Sequence, residues 1–185
     1  MIILISGKKR SGKDYVANLL HTKIENSKVV AFADKMKEIL SITMNITVDE
    51  LNDYKNKNKG IYIHSGFMEF ERKTDFRKLL QNFGTDAMQK VFGKNIWTDL
   101  VLKQYADNPL IISDLRFKHE YENLKHLNPF TIYVEGGDSS DPHISEHDLD
   151  GFSFNFIINN KEKPDLTDQI DFAINQINNF YKENK

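Results

Sequence analysis

Four consecutive apolar residues, Ile2 to Ile5, lie at the start of the chain, and the run gives way to the polar, glycine-bearing stretch Ser6 to Asp14. A short unbroken apolar run predicts a strand buried on both faces. Beyond Asp14 the spacing changes: Val16, Leu19, Leu20 and Ile24 fall three and four apart, the period of a helix with one buried face. The alternation then recurs. Lys28 to Ala33 predicts a second strand, and Asp34 the cap of a helix through Met36, Ile39, Leu40 and Met44. Thr47 to Gly66 is polar and rich in Asn and Lys, which predicts a solvated loop or a small helical insertion. From Thr74 the helical period returns with Phe76, Leu79, Leu80, Phe83, Met88, Val91 and Phe92, interrupted by Gly84. An interior glycine costs on the order of 1 kcal/mol relative to alanine, so the helix breaks there or something approaches the backbone closely.

The rest of the chain keeps the same rhythm. A helix carries Trp97, Leu100, Val101 and Tyr105, and a strand runs from Leu110 to Ser113. A charged helix comes next, from about Phe117 to Leu127, then a strand from Phe130 to Val134 and a Gly/Ser/Asp-rich loop over 136–150. A strand from Phe154 to Ile158 precedes a closing helix with Leu166, Ile170, Ala173, Ile174, Ile177 and Phe180 at helical spacing. Strands alternating with helices predict an α/β fold: a parallel sheet with helices on both faces, whose ligands sit beyond the carboxyl ends of the strands.

The turns beyond the strand ends are therefore where chemistry is expected. After the first strand comes Gly7 to Lys13, GKKRSGK, a glycine-rich turn leading into a helix. Such a turn aims successive backbone N–H groups and the positive helix end at one spot, where a lysine reaches the outer phosphates of a nucleoside triphosphate. Where the common motif has Ser or Thr, this chain has Asp14, which is either a hard-oxygen partner for magnesium or an acid favoured in the first turn of a helix. After the third strand come Asp114, placed to hold magnesium or its water shell, and Arg116, whose fork of N–H donors matches phosphate oxygens. A surface ion pair is the other reading of these two. Arginine is scarce, four against 21 lysines, so Arg10, Arg72, Arg77 and Arg116 are candidates for planar phosphate recognition. His143 and His147 sit four apart on a loop without an HExxH, which favours a lid that excludes water over a metal site.

Composition narrows the classes. With 185 residues and 39% hydrophobic content, the expectation is one domain, carrying an insertion over about 34–97 and a lid over about 136–150. No cysteine is present, which excludes disulfides and thiolate metal sites. No signal peptide or membrane-length apolar run is evident, so a soluble intracellular protein is expected. A net charge of −2 argues against a nucleic-acid partner and for a small anionic one.

Four strings then stand out together: SGKKRSGKD at Ser6 to Asp14, RKLLQNFGTD at Arg77 to Asp86 with Trp97 beyond it, SDLRF around Asp114 and Arg116, and HISE at His143 to Glu146. In this order, over most of the chain, they resemble the bacteriophage deoxynucleoside monophosphate kinases. More distantly the chain is similar to the animal-type phosphomevalonate kinases, which share the GKxxSGKD loop. The resemblance implies an adenylate-kinase-like P-loop fold that moves the γ-phosphoryl group of ATP onto a deoxynucleoside monophosphate with Mg2+. It also makes Asp14 normal in its place, and implies the cytoplasm, the host's for a phage-encoded chain, with a homodimer left open. The implied donor site is Gly7, Lys8, Lys9, Arg10, Ser11, Gly12, Lys13 and Asp14, with Lys13, Arg10, Arg116 and Asp114 serving the chemistry and Asp14 and Asp114 the metal. The implied acceptor side is Asp34, Lys37, Arg72, Arg77, Gly84, Asp86, Trp97 and Glu146, the base being read from the Asp34 to Met44 helix and the segment Phe83 to Trp97. A phosphomevalonate-type kinase and a nucleotide switch or ATPase without an acceptor stand as alternatives.

Overall fold

β1 (Ile2–Ser6) lies at the centre of a five-stranded parallel sheet, and every one of its residues is buried. The structure, a computed structural model, describes residues 1–56, 60–64, 71–105, 107–138 and 140–184, with the backbone alone at 54–56, 60–64 and 71–77. Two compact units emerge: Met1–Phe32 with Val101–Lys185, and Ala33–Leu100.

The first unit holds the sheet. β1 is followed by α1 (Lys13–Lys23) and β2 (Lys28–Val30); after residue 100 come β5 (Leu110–Ile112), α7 (Lys118–Leu124), β6 (Phe130–Glu135), β7 (Phe156–Asn159) and α8 (Thr167–Glu183). The strand order is β2-β5-β1-β6-β7, all parallel, with Leu4 opposite Ile112 on one side and Thr131 on the other. Ile3 and Ile5 join a core with Val16, Leu20, Ile132, Ile170 and Ile177, which packs α1 and α8 against one face. Side chains alternate along a strand, so Ile2 and Leu4, also buried, point to the opposite face. Both faces of β1 are therefore covered, as its unbroken apolar run requires. Parallel strands end at the same edge, which brings the turns after β1, β5, β6 and β7 together.

The second unit contains most of α2 (Phe32–Met44), α3 (Val48–Asn56), the antiparallel pair β3 (Gly60–His64) and β4 (Glu71–Asp75), α4 (Phe76–Gln81), a π-helix over Asn82–Gln89, α5 (Lys90–Phe92) and the start of α6 (Ile96–Tyr105). Leu40 and Leu51 are buried there, with Met44, Ile46, Leu79, Leu80 and Phe83 packed on them.

At three places the structure decides between the sequence expectations or corrects them. In the polar stretch from Thr47 the helical insertion is the alternative that holds, as α3, and the strand β3, which was not expected, follows it. Thr47 and Glu50 form a capping box: Glu50 Oε2 accepts from the Thr47 N–H, and the Glu50 N–H donates to Thr47 Oγ1. Asp34 is not the cap of α2, which begins two residues earlier; the Phe32 N–H donates to Asp114 Oδ1 at 2.7 Å, so the cap comes from beyond β5. At Gly84 the second of the two expected alternatives holds, an unbroken helix with a neighbour close to the backbone. The backbone continues through the π-helix, and the Met36 thioether fills the space a side chain at 84 would need. Among the described residues no helix is long and apolar enough to cross a membrane.

Beside the apolar packing of α8, one phenol ties this C-terminal helix to the sheet. Tyr181 Oη donates to the Ile2 carbonyl at 2.6 Å and accepts from the N–H groups of Ile2 at 3.0 Å and Phe130 at 3.3 Å. Tyr181→Phe strands these part-buried backbone groups, and we expect a stability loss of about 1–3 kcal/mol in urea denaturation, with the native spectrum retained.

Candidate active site

The glycine loop is shaped from three sides. Gly12 precedes α1 at φ 92°, in the left-handed region, and a Cβ built on it would lie 2.5 Å from Asn160 Nδ2. A Cβ on Gly7 would lie 2.5 Å from the Val134 carbonyl oxygen and 2.6 Å from Ser11 Oγ. The Val134 backbone cannot give way at Gly7, and the left-handed φ strains any side chain at Gly12, so both positions favour glycine. Asn160, just past β7, donates from Nδ2 to the Ser11 carbonyl at 2.8 Å, and the Asp138 N–H, past β6, donates to the Lys9 carbonyl at 2.7 Å. These two buttresses were not anticipated from the sequence. Their signal was available in the expectation that strand exits converge, but nothing local distinguishes Asn160 from its neighbour Asn159.

Lys13 opens α1 with its side chain buried. Its ammonium arches back and donates to the carbonyls of Gly7 and Lys8, both at 2.8 Å. Burial, and then the positive charge of Arg116, lower its pKa to about 8, while Glu146, Asp14 and Asp114 act in the opposite direction. Ser11 Oγ is buried inside the loop with no hydrogen-bond partner. A cradle with two favoured glycines, an orphaned hydroxyl and a cation held at the cost of desolvation fits a polyphosphate.

Beside the loop, Ser113 Oγ donates to Asp14 Oδ1 at 2.9 Å. A hydroxyl and a carboxylate thus meet where the first turn of α1 and the end of β5 approach, with the carboxylate on α1. Asp114 receives the Phe32 N–H through Oδ1. Magnesium keeps several waters and takes one or two protein carboxylates beside substrate phosphates. Asp14 and Asp114 fit that donor set, and among the described residues no group of three His, Cys, Asp or Glu forms a metal cage.

Arg116 is held at both ends. Its backbone N–H donates to Glu120 Oε2 at 2.8 Å, as does that of Phe117 at 2.9 Å, so Glu120 reaches back over the start of α7. Its guanidinium donates from Nη1 to Glu146 Oε1 at 2.6 Å. Glu120 is buried, and desolvation pushes its pKa up to about 8 against the opposing pull of the two N–H groups.

The loop over 136–150 is stitched to these residues. Lys8 Nζ donates to the Glu146 carbonyl and to Asp150 Oδ1, the latter at 2.6 Å, and the Lys9 N–H donates to Glu146 Oε2 at 3.1 Å. The Lys118 N–H donates to Asp148 Oδ2 at 2.6 Å. His147 bonds Asp150 and the Asp141 carbonyl, which raise its pKa, and Asp150 is lowered by Lys8 and then His147. His143 Nδ1 accepts from the Ser145 N–H at 3.2 Å. Both histidines thus bond partners in or near the loop.

The first unit therefore brings together Gly7 to Asp14, Asp114, Arg116 and Glu146. The remaining candidates lie in the second unit. Asp34 pairs with Lys37 along α2 at 3.2 Å, and Asp86 pairs with Lys90 at 3.1 Å. Trp97 is 2% exposed, and its indole N–H donates to the Gly84 carbonyl at 3.3 Å; its ring also lies against Phe83. That environment makes Trp97 a packing residue of this unit. The side chains of Arg72 and Arg77 lie outside the described residues.

Comparison with known proteins adds a family. A model described as deoxynucleotide monophosphate kinase matches residues 1–64 and 51–170. A deoxynucleotide monophosphate kinase of Escherichia phage RB69 is 31% identical over 81 residues, 40% of this chain and 33% of that protein. The match thus spans about a third of the relative's length.

Glu120 yields a pH dependence. Its folded pKa of about 8 lies above its unfolded value near 4.5, so the folded state binds more protons in between. This group's contribution is full below pH 4.5 and is lost as pH rises through 8. Glu120→Gln keeps an acceptor for both N–H groups without the charge. Urea unfolding between pH 5 and 8.5 should show wild-type stability declining more steeply than that of the variant; parallel curves would contradict the assignment.

Proposed function

The chain belongs to the deoxynucleotide monophosphate kinase family, and on that premise we propose that it transfers the γ-phosphoryl group of ATP to a deoxynucleoside monophosphate, with Mg2+. The observation that carries the reading is the buried Lys13 ammonium set over the glycine loop, with Arg116 held beside it. A buried cation lowered to a pKa of about 8 gains most from a multiply charged anion, which restores the interaction that desolvation removes.

In this reading the backbone from Gly7 to Lys13 and the α1 N-terminus grip the donor phosphates, and Lys13 exchanges the Gly7 and Lys8 carbonyls for phosphate oxygens. Magnesium, near Asp14 and Asp114, would neutralise charge on the transferred group. The acceptor's phosphate oxygen forms the new P–O bond as the bond to ADP breaks, and ADP leaves with that electron pair. A phosphate monoester has its second pKa at about 6 and is largely dianionic near neutrality, so no general base is needed. Catalysis reduces to alignment and charge stabilisation, which Lys13, Arg10 and Arg116 supply. Arg77 is proposed to hold the acceptor phosphate, and a cytoplasmic location accords with the substrates.

Incubation with ATP, Mg2+ and a panel of acceptors tests the reaction. We expect diphosphate product from one or more deoxynucleoside monophosphates; product only from an acyclic phosphate ester, or hydrolysis without an acceptor, would overturn it. Lys13→Ala should lower kcat by about 10²–10³-fold, the loss typical of one positioned donor to transition-state charge. At pH 8.5, ATP binding should take up a proton, because phosphate raises the Lys13 pKa from about 8. Calorimetry in buffers of different ionisation enthalpy reads that uptake, which Lys13→Ala should abolish.

A further inference from the structure

Glu146 was expected on the acceptor side, yet the structure spends both of its carboxylate oxygens on the protein. Oε1 accepts from the Arg116 guanidinium at 2.6 Å, Oε2 accepts from the Lys9 backbone N–H at 3.1 Å, and the side chain is 1% exposed. One carboxylate therefore ties an arginine beyond β5 to the shoulder of the glycine loop beyond β1, from a short 3-10 turn (Ile144–Glu146) beyond β6. Three strand exits meet in one group.

Resting on the phosphoryl-transfer reading, we propose that Glu146 is a positioning residue that fixes the Arg116 guanidinium against the phosphate loop. Three observations carry this. First, Arg116 is anchored independently at its backbone by Glu120, so Glu146 settles only where the side chain's end lies. Second, Glu146 contacts the loop at Lys9, away from Gly12 and Lys13 at the helix start, so it does not take the helix end that a phosphate needs. Third, the segment 136–150 contains no arginine, so it brings no guanidinium of its own and meets that of Arg116 instead. A buried carboxylate is costly to desolvate and is retained only when its partners satisfy it. Here the satisfied partner is one of the groups to which the phosphoryl-transfer reading assigns charge on the transferred group. The same turn places its Glu146 carbonyl on Lys8 Nζ, so seating of the 136–150 loop and placement of Arg116 are one event.

Glu146→Gln keeps the shape and the acceptor to the Lys9 N–H but removes the charge that holds the guanidinium. Glu146→Asp keeps the charge and retracts it by a methylene, and it serves if the glutamine variant does not fold. With ATP and an accepted monophosphate, Glu146→Gln should lower kcat on the order of 10²-fold, as for an ångström-scale misplacement, while the Kd for ATP stays within about threefold. Glu146→Asp should fall between. Arginine 15N NMR supplies a readout independent of turnover: a restrained Nε–H signal, assigned by its loss in Arg116→Lys, should shift and broaden in Glu146→Gln. An unchanged kcat, or tighter ATP binding at full kcat, would make the carboxylate an obstacle and overturn the proposal. So would an unchanged Arg116 signal. Failure of the wild type to phosphorylate any acceptor would instead defeat the parent reaction, and the NMR comparison would still decide the placement of Arg116.

Discussion

Burying one ammonium group inside a loop of main-chain amides sets the terms for everything around it. Lys13 cannot be held in the interior unless its protons are accepted, and the Gly7 and Lys8 carbonyls accept them only because the loop curls tightly enough to turn both inward. That curl needs a left-handed residue at Gly12 and bare backbone at Gly7, where Val134 and Ser11 press in. It also needs support from outside, which Asn160 and the Asp138 N–H give. The parallel sheet is what makes the support available. With β1 at its centre and β5 and β6 as neighbours, the turns that carry these groups emerge at one edge.

Charge is arranged by the same economy. Lys8, Lys13 and Arg116 crowd a small region, and the repulsion between Arg116 and Lys13 contributes to the lowered lysine pKa. Glu146 and Asp150 from the 136–150 loop, Asp14 from α1 and Asp114 from beyond β5 offset it. The acids differ in surroundings: Glu146 is enclosed, whereas Asp150 is open to solvent and held by Lys8 and His147. A pair at the surface adds little energy, so the Lys8–Asp150 contact orients the loop more than it stabilises the fold. The enclosed pair is the structurally exacting one, since removal of either partner leaves a charge without compensation.

Much of this was legible in the order of residues because it is written locally. The Ile2 to Ile5 run, the glycine turn and the helical spacing of Val16 and Leu20 are adjacent, so strand, cradle and helix could be read as one unit. The placement of Asp114 and Arg116 beyond β5 followed from the logic of strand exits. What escaped is tertiary. Asn160 and Glu120 act through contacts that sequence spacing does not announce, and the cap of α2 is supplied by Asp114, 82 positions from Phe32. Trp97 was open to two readings, base contact or packing, because helical spacing of an aromatic does not separate them; its indole N–H is bonded to the Gly84 carbonyl. The Thr47–Glu50 capping box was present in the string and masked by the polar composition around it.

The central claim is that the loop from Gly7 to Lys13 is the seat of a triphosphate. A crystal structure with a non-hydrolysable ATP analogue and Mg2+ tests it most directly. The account predicts the β- and γ-phosphates inside the loop, with Lys13 Nζ withdrawn from the Gly7 and Lys8 carbonyls and bonded to phosphate oxygen. A fully occupied analogue bound elsewhere, with Lys13 still on those two carbonyls, would contradict it.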